Sequence, residues 1–384
     1  MRRTSKSIVV WASVTALAMG PWAPGRVGGP GAAPAEAAPP SRILPDMVSP
    51  QTVKAIKKGL DFLARTQRAD GGWFASGAYG SYNYPAVMTS LSGLALMASG
   101  STPESGPYAK NVKKAMFHVL HLAEAGEDGL ICGLTSEFRS MYGHGFSMLF
   151  LAQCYGVETD KKVAKRLKTA LDKAVTITAK AQSTLSTKFP KPFDKAGGWI
   201  YTPTGRSDEG SVTVTQLQAL RACRNVGIKV PKVVINKAVA YLKHCQQADG
   251  GICYSSRSRG SSRPPISAAA IACFYAAGVY DRQAGGKGPE AEMVEKLVKY
   301  CKSKINTTGG GHYFYMHFYL AQAYYQRGGK DWKDYYPKIR DRMLATQNKL
   351  DGSWNGDSVG TTYGTALASI ILQLPYGYLP ICQR

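Results

Sequence analysis

The sequence predicts an all-α fold in which two concentric layers of helices surround a common centre. Three observations support this: a helix-and-turn segment recurs along the chain, an amphipathic helix precedes each turn, and a helix that is apolar on nearly every side follows it. A helix with one polar face meets water, whereas a helix without a polar face is buried on both sides. Six such pairs predict six helical hairpins, with an outer and an inner ring.

Composition agrees with a large globular fold. Of the 384 residues, 44% are hydrophobic and 10% are aromatic, which excludes a disordered or fibrous chain. Eight cysteines without any Cys-x-x-Cys pair are too dilute for a disulfide framework and too irregular for a zinc site. We expect buried free thiols on helix faces. The alternative, in an oxidising compartment, is one disulfide that involves Cys245 and Cys253.

The N-terminal segment is typical of an exported protein. Basic residues precede an apolar stretch at residues 8–20, and a small-residue cleavage site follows at 35–37. We therefore predict a signal peptide at residues 1–37 and a linker at 38–50, with the protein in the periplasm or secreted. An uncleaved N-terminal membrane anchor is the alternative, although the apolar stretch is shorter than the roughly 17–20 residues that span a bilayer.

The chain is strongly basic, with a net charge of +23 from 48 Lys and Arg against 25 Asp and Glu. Many of the lysines are spaced like the residues on the polar face of an amphipathic helix, which indicates that they face solvent. Attraction to an anionic envelope surface is the second interpretation. No nucleic-acid partner is expected, because the basic runs lack interleaved aromatic residues and any known binding motif. The sequence leaves the oligomeric state open.

The recurring segment is clearest at three places. Residues 59–73 (GLDFLARTQRADGGW) match residues 240–252 (AYLKHCQQADGGI) and, with one extra residue, residues 343–354 (MLATQNKLDGSW). Fainter copies of the turn stand at residues 127–131, 196–199 and 308–313. Six turns therefore divide the chain.

The helices on either side of these turns differ in pattern. In the first outer helix, Val53, Ile56, Leu60 and Leu63 lie on one face by their spacing, which leaves the neighbouring lysines toward water. The first inner helix is predicted at residues 86–99. The remaining inner helices are predicted at residues 145–155, 211–225, 265–277, 314–326 and 362–374.

The turn residues have mechanical roles. Gly-Gly allows positive backbone φ angles after a helix end, and the preceding Asp can accept hydrogen bonds from the turn. The Trp fills the gap between neighbouring hairpins, and the Gln in the last helical turn can bond the loop or the next repeat. We assign these residues to architecture: Gln67, Trp73, Trp199, Gln246, Gln347 and Trp354.

The Gln-x-x-x-Gly-x-Trp elements resemble the QW repeats of squalene and oxidosqualene cyclases, and the order of hairpins is similar to that of protein prenyltransferase β subunits. The resemblance extends over about residues 51–375. It implies a single α/α-toroid of prenyltransferase and squalene cyclase repeats, which we place at residues 51–378 with a C-terminal tail at 379–384. It does not by itself imply a chemistry.

The motifs of the catalytic relatives are absent. The resemblance would imply an Asp-x-Asp-Asp acid for triterpene cyclisation, or zinc on an Asp-x-Cys pair and a distant His for prenyl transfer. This chain contains neither, and the nearest acidic pair is Asp208-Glu209. Its six histidines include no pair at i, i+4, so we predict no metal site and no cofactor.

Polar and aromatic side chains near the loop ends of the inner helices should face the central cavity. A His beside a Tyr and a carboxylate suits general acid–base chemistry, and tyrosines suit polyprenyl chains and sugars equally. For each residue the alternative is a satisfied polar group in the core. The catalytic candidates are Asp208, Glu209, His144, His317 and Asp357. The ligand-binding candidates are Tyr84, Tyr313, Tyr315, Arg263 and Tyr363.

These features favour a cavity that binds an apolar or isoprenoid ligand without the catalytic acids of the relatives. One alternative is a carbohydrate-active enzyme on a similar toroid, which needs two carboxylates about 5–10 Å apart across one cleft. Another is a non-catalytic envelope scaffold. Whether the protein is an enzyme stays open at this stage, and any activity would resemble a terpene cyclase or transferase, or a glycan-acting enzyme.

Overall fold

The computed structural model describes residues 44–77, 83–133, 137–183, 197–205 and 207–383. The chain divides into two units, Met1–Ile43 and Leu44–Arg384, and every described residue belongs to the second unit. The predicted signal peptide at 1–37 and its cleavage site lie outside the described residues, as does the linker up to residue 43.

The second unit is built from helices. The described residues form twelve α-helices: α1 (Pro50–Thr66), α2 (Pro85–Met97), α3 (Ala109–Ala125), α4 (Ser140–Tyr155), α5 (Lys161–Ala181), α6 (Gly210–Asn225), α7 (Lys232–Cys245), α8 (Pro264–Ala276), α9 (Gly288–Lys304), α10 (Tyr313–Arg327), α11 (Gly329–Thr346) and α12 (Thr361–Gln373). They pair in chain order as six hairpins. The all-α prediction is therefore confirmed.

The even-numbered helices form a closed inner ring. Each packs against the next even-numbered helix, and α12 packs against α2, so the last inner helix contacts the first. The seam is also bonded: the Gln347 side chain donates to the Ala55 carbonyl at 2.9 Å, and the Gly77 N–H donates to the Val359 carbonyl at 2.9 Å. The odd-numbered helices lie outside this ring. The architecture is an α/α-toroid of six hairpins, as predicted.

Burial follows the two layers. Every residue of α2 is buried, whereas α1 buries one stripe that includes Ile56, Leu60 and Leu63. The sequence pattern placed Val53 in that stripe, but Val53 is 37% exposed. The buried face begins at Thr52 instead, whose hydroxyl lies 3.0 Å from the Ser49 hydroxyl in the capping box.

Glycines in the turns seat each hairpin on the next outer helix. Gly71, Gly250 and Gly352 have φ of +88°, +89° and +82°, a region that favours glycine. A Cβ on Gly71 would lie 2.4 Å from the Lys114 carbonyl oxygen of α3, and a Cβ on Gly250 would lie 2.7 Å from the Lys296 carbonyl oxygen of α9. These positions therefore require glycine for both conformation and space.

The repeat glutamines bond successive outer helices together. The Gln67 amide donates to the Gly71 carbonyl at 2.8 Å and to the Asn111 carbonyl of α3 at 3.0 Å. Gln246 and Gln347 make the same two kinds of contact, one inside the turn and one to the next outer helix. Gln182, which the repeat pattern in the sequence did not identify, also donates to one carbonyl inside its turn and to one on the next outer helix. These bonds satisfy carbonyls at the turns.

The repeat tryptophans are buried at equivalent places. The indole N–H of Trp73 donates to the Leu63 carbonyl at 3.0 Å, and the Trp73 backbone N–H donates to the Thr89 hydroxyl at 3.0 Å. Trp199 and Trp354 repeat both contacts with their own hairpins, and all three side chains are at most 1% exposed. Each tryptophan therefore joins its outer helix to its inner helix.

The start of one inner helix differs from the sequence prediction. Helix α4 begins at Ser140 rather than near residue 145. The prediction started it too late because Gly143 and Gly145 interrupt the apolar pattern, and both glycines lie inside the helix where its backbone is close to neighbouring residues. At the C-terminus, Ile381 and Cys382 are buried, and this segment packs on α6 and α10. Residues assigned to a tail thus lie against the toroid.

Across the described residues, no helix combines the length and the apolar character needed to cross a membrane.

Candidate functional site

A cavity of about 700 Å³ opens at the end of the toroid where the inner helices begin. The residues that cap the N-termini of five inner helices line it: Tyr84, Arg139, Glu209, Arg263 and His312. Because the N-terminal end of a helix carries partial positive charge, several helix dipoles point toward this cavity. This opening of the toroid is therefore polarised.

The wall is mostly aromatic and aliphatic. Its aromatic residues are Tyr84, Tyr142, Phe146, Tyr201, Tyr254, Tyr315 and Tyr363. Its aliphatic residues are Val87, Met88, Pro264, Pro265, Ile266, Met316 and Val359. A concave, apolar lining with a few convergent polar groups is the usual character of a small-molecule site.

The cavity lining also contains charged side chains of both signs. Arg139, Arg263 and Lys304 are cationic, and the Arg139 guanidinium lies 4.4 Å from the centroid of the Tyr201 ring. Glu209 and Asp357 are the carboxylates of the lining. Their hydrogen bonds decide what each can do.

Glu209 caps α6. Its carboxylate accepts the Ser211 and Val212 backbone N–H groups at 3.0 and 2.8 Å, and the Ser211 hydroxyl at 2.7 Å. The Tyr142 hydroxyl lies close to the same serine and to this carboxylate. Burial raises the pKa of Glu209, and the hydrogen bonds from Ser211 oppose that rise. The group therefore holds the helix start and faces the cavity at once.

Asp357 holds the start of α10 from the sixth turn. It accepts the Phe314 N–H at 2.8 Å and the Tyr315 N–H at 3.4 Å, so the first turn of α10 is hydrogen-bonded to an acidic residue 43 and 42 positions downstream. Burial raises the pKa of Asp357, while these backbone bonds lower it. The carboxylate ties two hairpins together at the cavity mouth.

Asp208 lies on the other side of the chain from Glu209. The Tyr241 hydroxyl, the Ser255 hydroxyl and the Ser256 N–H donate to it at 2.9, 2.8 and 2.7 Å. Successive side chains of an extended segment point in opposite directions, and Glu209 stands in a β-bridge with Trp199. The adjacent acids that the sequence offers as a pair therefore face different surroundings, and Asp208 is outside the cavity lining.

His144 is a core residue. Its Nδ1 accepts the Ile131 N–H at 3.1 Å, and its Nε2–H donates to the Thr178 hydroxyl at 2.8 Å. Burial lowers its pKa to about 4, so the ring is neutral at physiological pH. Both ring nitrogens are occupied, and the residue does not line the cavity.

His317 and Tyr313 share a helix face, as their i, i+4 spacing predicts, but that face points away from the cavity lining. The Tyr335 hydroxyl donates to His317 Nδ1 at 2.9 Å, and His317 Nε2–H donates to the Asn306 carbonyl at 3.2 Å. Burial lowers the pKa of His317 to about 4. Tyr313 donates to the Thr307 carbonyl at 2.8 Å. This His–Tyr pair is structural.

Of the candidates taken from the sequence, the structure brings six to the cavity wall: Glu209, Asp357, Tyr84, Tyr315, Arg263 and Tyr363. The other four do not line it: Asp208, His144, His317 and Tyr313. The ligand-binding candidates are thus mostly at the cavity, and the histidines proposed for acid–base work are not.

Sequence reasoning missed several wall residues. Arg139 and Tyr142 fell outside the predicted α4 because its start was placed too late. Tyr201 and Tyr254 each stand two residues after the repeat position held by Trp199 and Ile252. Alignment of the repeat in register would have found that second pair.

Strained backbone concentrates here. Six non-glycine residues in the described part of the chain have positive φ angles. Three of these six line the cavity: Tyr84 at +44°, His312 at +52° and Asp357 at +46°. Such conformations cost energy and persist where surrounding structure enforces them, often at functional sites. This observation independently marks the cavity as the candidate site.

In the part of the chain that the structure describes, no three His, Cys, Asp or Glu side chains group closely enough to hold a metal ion.

No protein-family model matches the chain, and no curated protein sequence matches it. Solved structures match by shape. The type II terpene cyclase MstE from Scytonema matches with a TM-score of 0.51 at 15% identity, over 86% of this chain and 99% of that chain. The GH76A alpha-1,6-mannanase of a Salegentibacter species gives 0.61 at 10% identity, over 85% and 99%.

The cellobiose 2-epimerase of Bacillus thermoamylovorans gives a TM-score of 0.57 at 10% identity, over 85% of this chain and 99% of that chain. At such low identity these likenesses establish the fold alone: the chain is an α/α-toroid, like a terpene cyclase and two sugar-acting enzymes. A shared fold does not choose among those chemistries.

Proposed function

We propose that the central cavity binds an amphiphilic ligand with an apolar, isoprenoid-like body and an anionic end. The observation that carries this proposal is the lining itself, with seven aromatic and seven aliphatic residues around about 700 Å³ and cationic groups at its mouth. We place this function outside the cytoplasm, on the basis of the basic, apolar and small-residue pattern in the first 37 residues.

The apolar body follows from the wall. Buried apolar area contributes roughly 25 cal/mol per Å², and a flexible polyprenyl chain can lie against aromatic faces without specific partners. Phe146 and Met316 are buried side chains of two different inner helices that reach the same cavity. An apolar chain that enters between the helices would therefore contact several hairpins.

The anionic end follows from the charges. Arg139 and Arg263 occupy the N-cap positions of α4 and α8, where the helix dipoles favour a negative group. Lys304, the last residue of the outer helix α9, adds a third positive charge to the same lining. Glu209 and Asp357 compensate less than their formal charge suggests, because each accepts N–H groups of a helix start. A phosphate or carboxylate is the ligand end that fits this mouth.

A glycan ligand is the second candidate, since tyrosines also stack on sugars and the mannanase and the epimerase share the fold. A glycosidase needs one carboxylic acid and one carboxylate free to reach the sugar. The cavity carboxylates Glu209 and Asp357 already accept helix N–H groups, which favours the amphiphile over glycan cleavage. A single-residue variant of the terpene cyclase MstE was solved in complex with its substrate geranylgeranyl dihydroxybenzoate, an apolar chain on a polar ring.

Titration calorimetry with three probes tests the proposal: geranylgeranyl diphosphate, geranylgeraniol and alpha-1,6-mannotriose. We expect the diphosphate to bind more tightly than the alcohol, and the trisaccharide not to bind. Binding of mannotriose without either isoprenoid would overturn the proposal in favour of the glycan.

Variants locate the binding. Val359→Trp fills the cavity from a loop and should abolish isoprenoid binding, whereas Val233→Trp, at a 56% exposed position of α7, is the matched control and should not. Arg263→Gln should weaken diphosphate binding by about tenfold and leave the alcohol unchanged, since a charged hydrogen bond contributes roughly 1.5 kcal/mol or more. Equal loss for both probes would refute the anionic end.

A further inference from the structure

We propose that Cys245 and Cys253 are a disulfide-forming pair that ties the end of α7 to the wall of the cavity. The proposal does not depend on the ligand. It rests on the fourth repeat turn, where α7 ends and the chain doubles back before α8.

The backbone places the two residues opposite each other. Gln246 and Ile252 form an antiparallel β-bridge, and the Cys253 N–H donates to the Cys245 carbonyl at 3.0 Å. Residues that oppose each other in an antiparallel pair have Cα atoms about 4.5–5.5 Å apart, inside the range of about 4.4–6.8 Å that disulfides need. The two thiols are close enough that each shifts the pKa of the other, and the Cys253 thiol donates to the Ser255 carbonyl at 3.3 Å.

The other cysteines have different surroundings. The Cys154 thiol contacts the Met97 sulfur at 3.8 Å, and the Cys273 thiol donates to the Val214 carbonyl at 3.2 Å. All eight cysteines are buried. Of these eight, Cys245 and Cys253 are the two that the backbone of the repeat turn places opposite each other, so the pairing follows from the turn rather than from cysteine content.

Cys253 has the character of the attacking thiol. The hydrogen bond from Cys245 lowers the pKa of Cys253 to about 7, burial opposes this, and the Arg259 guanidinium adds to the lowering. The thiolate is the nucleophile in disulfide exchange. Arg259 is itself held by the His244 and Gln246 carbonyls at 2.9 and 3.1 Å, which keeps its charge beside the turn.

The chemistry balances with a disulfide oxidant such as oxidised glutathione. The Cys253 thiolate attacks one sulfur of the oxidant, which forms a mixed disulfide and releases one glutathione thiolate. Cys245 then loses its proton and attacks the Cys253 sulfur, which releases the second glutathione thiolate. Two protein thiols are oxidised by two electrons, one external disulfide is reduced, and the two protons end on the glutathione thiols. Because both cysteines are buried in the folded chain, the exchange takes place during folding or when the turn opens.

The bond would act on the cavity wall. Tyr254, which lines the cavity, is the next residue after Cys253, and its carbonyl accepts the Gly210 N–H at 2.9 Å at the start of α6. Ser255 and Ser256 follow and hold Asp208. A covalent tie at Cys253 therefore anchors the segment that supports both the wall and the helix cap beside it.

Alkylation of the full-length protein tests the proposal. After equilibration in a buffer of reduced and oxidised glutathione, the chain is unfolded under acid quench, alkylated and mapped by mass spectrometry. We expect two of the eight cysteines to escape alkylation, with one linked peptide pair that contains Cys245 and Cys253. In Cys253→Ala every remaining cysteine should be alkylated, while Cys301→Ala, a buried cysteine of α9, should keep the bond.

The oxidised wild type should also melt about 3–4 °C above the reduced form, as expected for closing a loop of about nine residues in a unit of this size. Eight alkylated cysteines after oxidation, or a bond that joins any other pair, would overturn the proposal even if a variant failed to fold. Because neither readout uses a cavity ligand, failure here leaves the ligand proposal untouched.

Discussion

Replacing a single turn glycine by alanine separates conformational strain from steric clash in this repeat. Gly71 and Gly227 have nearly the same backbone angle, with φ of +88° and +82°. A Cβ on Gly71 would lie 2.4 Å from the Lys114 carbonyl oxygen, whereas a Cβ on Gly227 would meet nothing within 4 Å. Gly71→Ala therefore adds both strain and overlap, and Gly227→Ala adds strain alone.

The magnitudes follow from these two terms. A left-handed conformation costs an L-residue roughly 1–2 kcal/mol, and the smaller conformational entropy of the unfolded alanine chain offsets part of this cost. We therefore expect Gly227→Ala to lower the free energy of unfolding by about 1 kcal/mol. Overpacking against a backbone atom adds about 1–3 kcal/mol, so we expect about 3 kcal/mol for Gly71→Ala. The clash meets a backbone carbonyl of α3, which cannot rotate aside as a side chain can.

Urea unfolding followed by far-ultraviolet circular dichroism measures both free energies of unfolding by linear extrapolation. The expected difference between the two variants is about 2 kcal/mol, with Gly71→Ala the less stable. If the two variants lost the same stability within about 0.5 kcal/mol, the close seating of the turn on the next outer helix would be refuted.

Four further outcomes are expected. Trp73→Ala and Trp354→Ala should each lower the free energy of unfolding by about 3 kcal/mol or more, because each leaves a hole between hairpins; calorimetric melting within a degree or two of wild type would contradict this. Burial lowers the pKa of His144 from 6.5 to about 4. The neutral ring therefore makes its full contribution to the free energy of unfolding above about pH 6.5, and this contribution is lost as the pH falls toward 4. Wild type should therefore lose up to about 3 kcal/mol relative to His144→Gln over that window, and urea midpoints of both proteins that shift equally with pH would count against it. The protein should bind no stoichiometric zinc, so a chelator should leave its melting temperature unchanged; elemental analysis that finds about one zinc per chain, lost on mutation of Cys253 or His317, would reverse this. The exported form should begin near residue 38, and N-terminal sequencing that finds Met1 intact would refute cleavage.

Local patterns explain why so much of the fold could be predicted. Hairpin number, ring assignment and the glycine turns depend on residues that are close in sequence, such as Asp70, whose carboxylate accepts the Gly72 N–H at 3.0 Å. The first residue of a helix was harder to predict where glycines interrupt the apolar pattern, as in α4. The hydrophobic pattern also left out Thr52, a polar residue of α1 that is buried, and included Val53, which is 37% exposed.

The candidate site was less accessible to sequence reasoning. Its tyrosines and cations come from several hairpins, and only closure of the ring brings Tyr84 of the first and Tyr363 of the sixth to one cavity. Because successive side chains of an extended segment point to opposite sides, Glu209 lines the cavity and Asp208 does not. Two adjacent acidic residues thus have different roles because their side chains point in opposite directions.

The sequence by itself determined the all-α class, the six repeats, the two layers and the absence of the catalytic motifs, because each depends on residue type and spacing along one chain. The tertiary structure alone decided which polar residues reach the cavity. His144 and His317 are plausible acid–base groups in the sequence, yet in the fold each ring nitrogen has a hydrogen-bond partner and burial keeps both rings neutral. The protonation and access of a side chain depend on neighbours that are distant in sequence, and only packing brings those neighbours into contact.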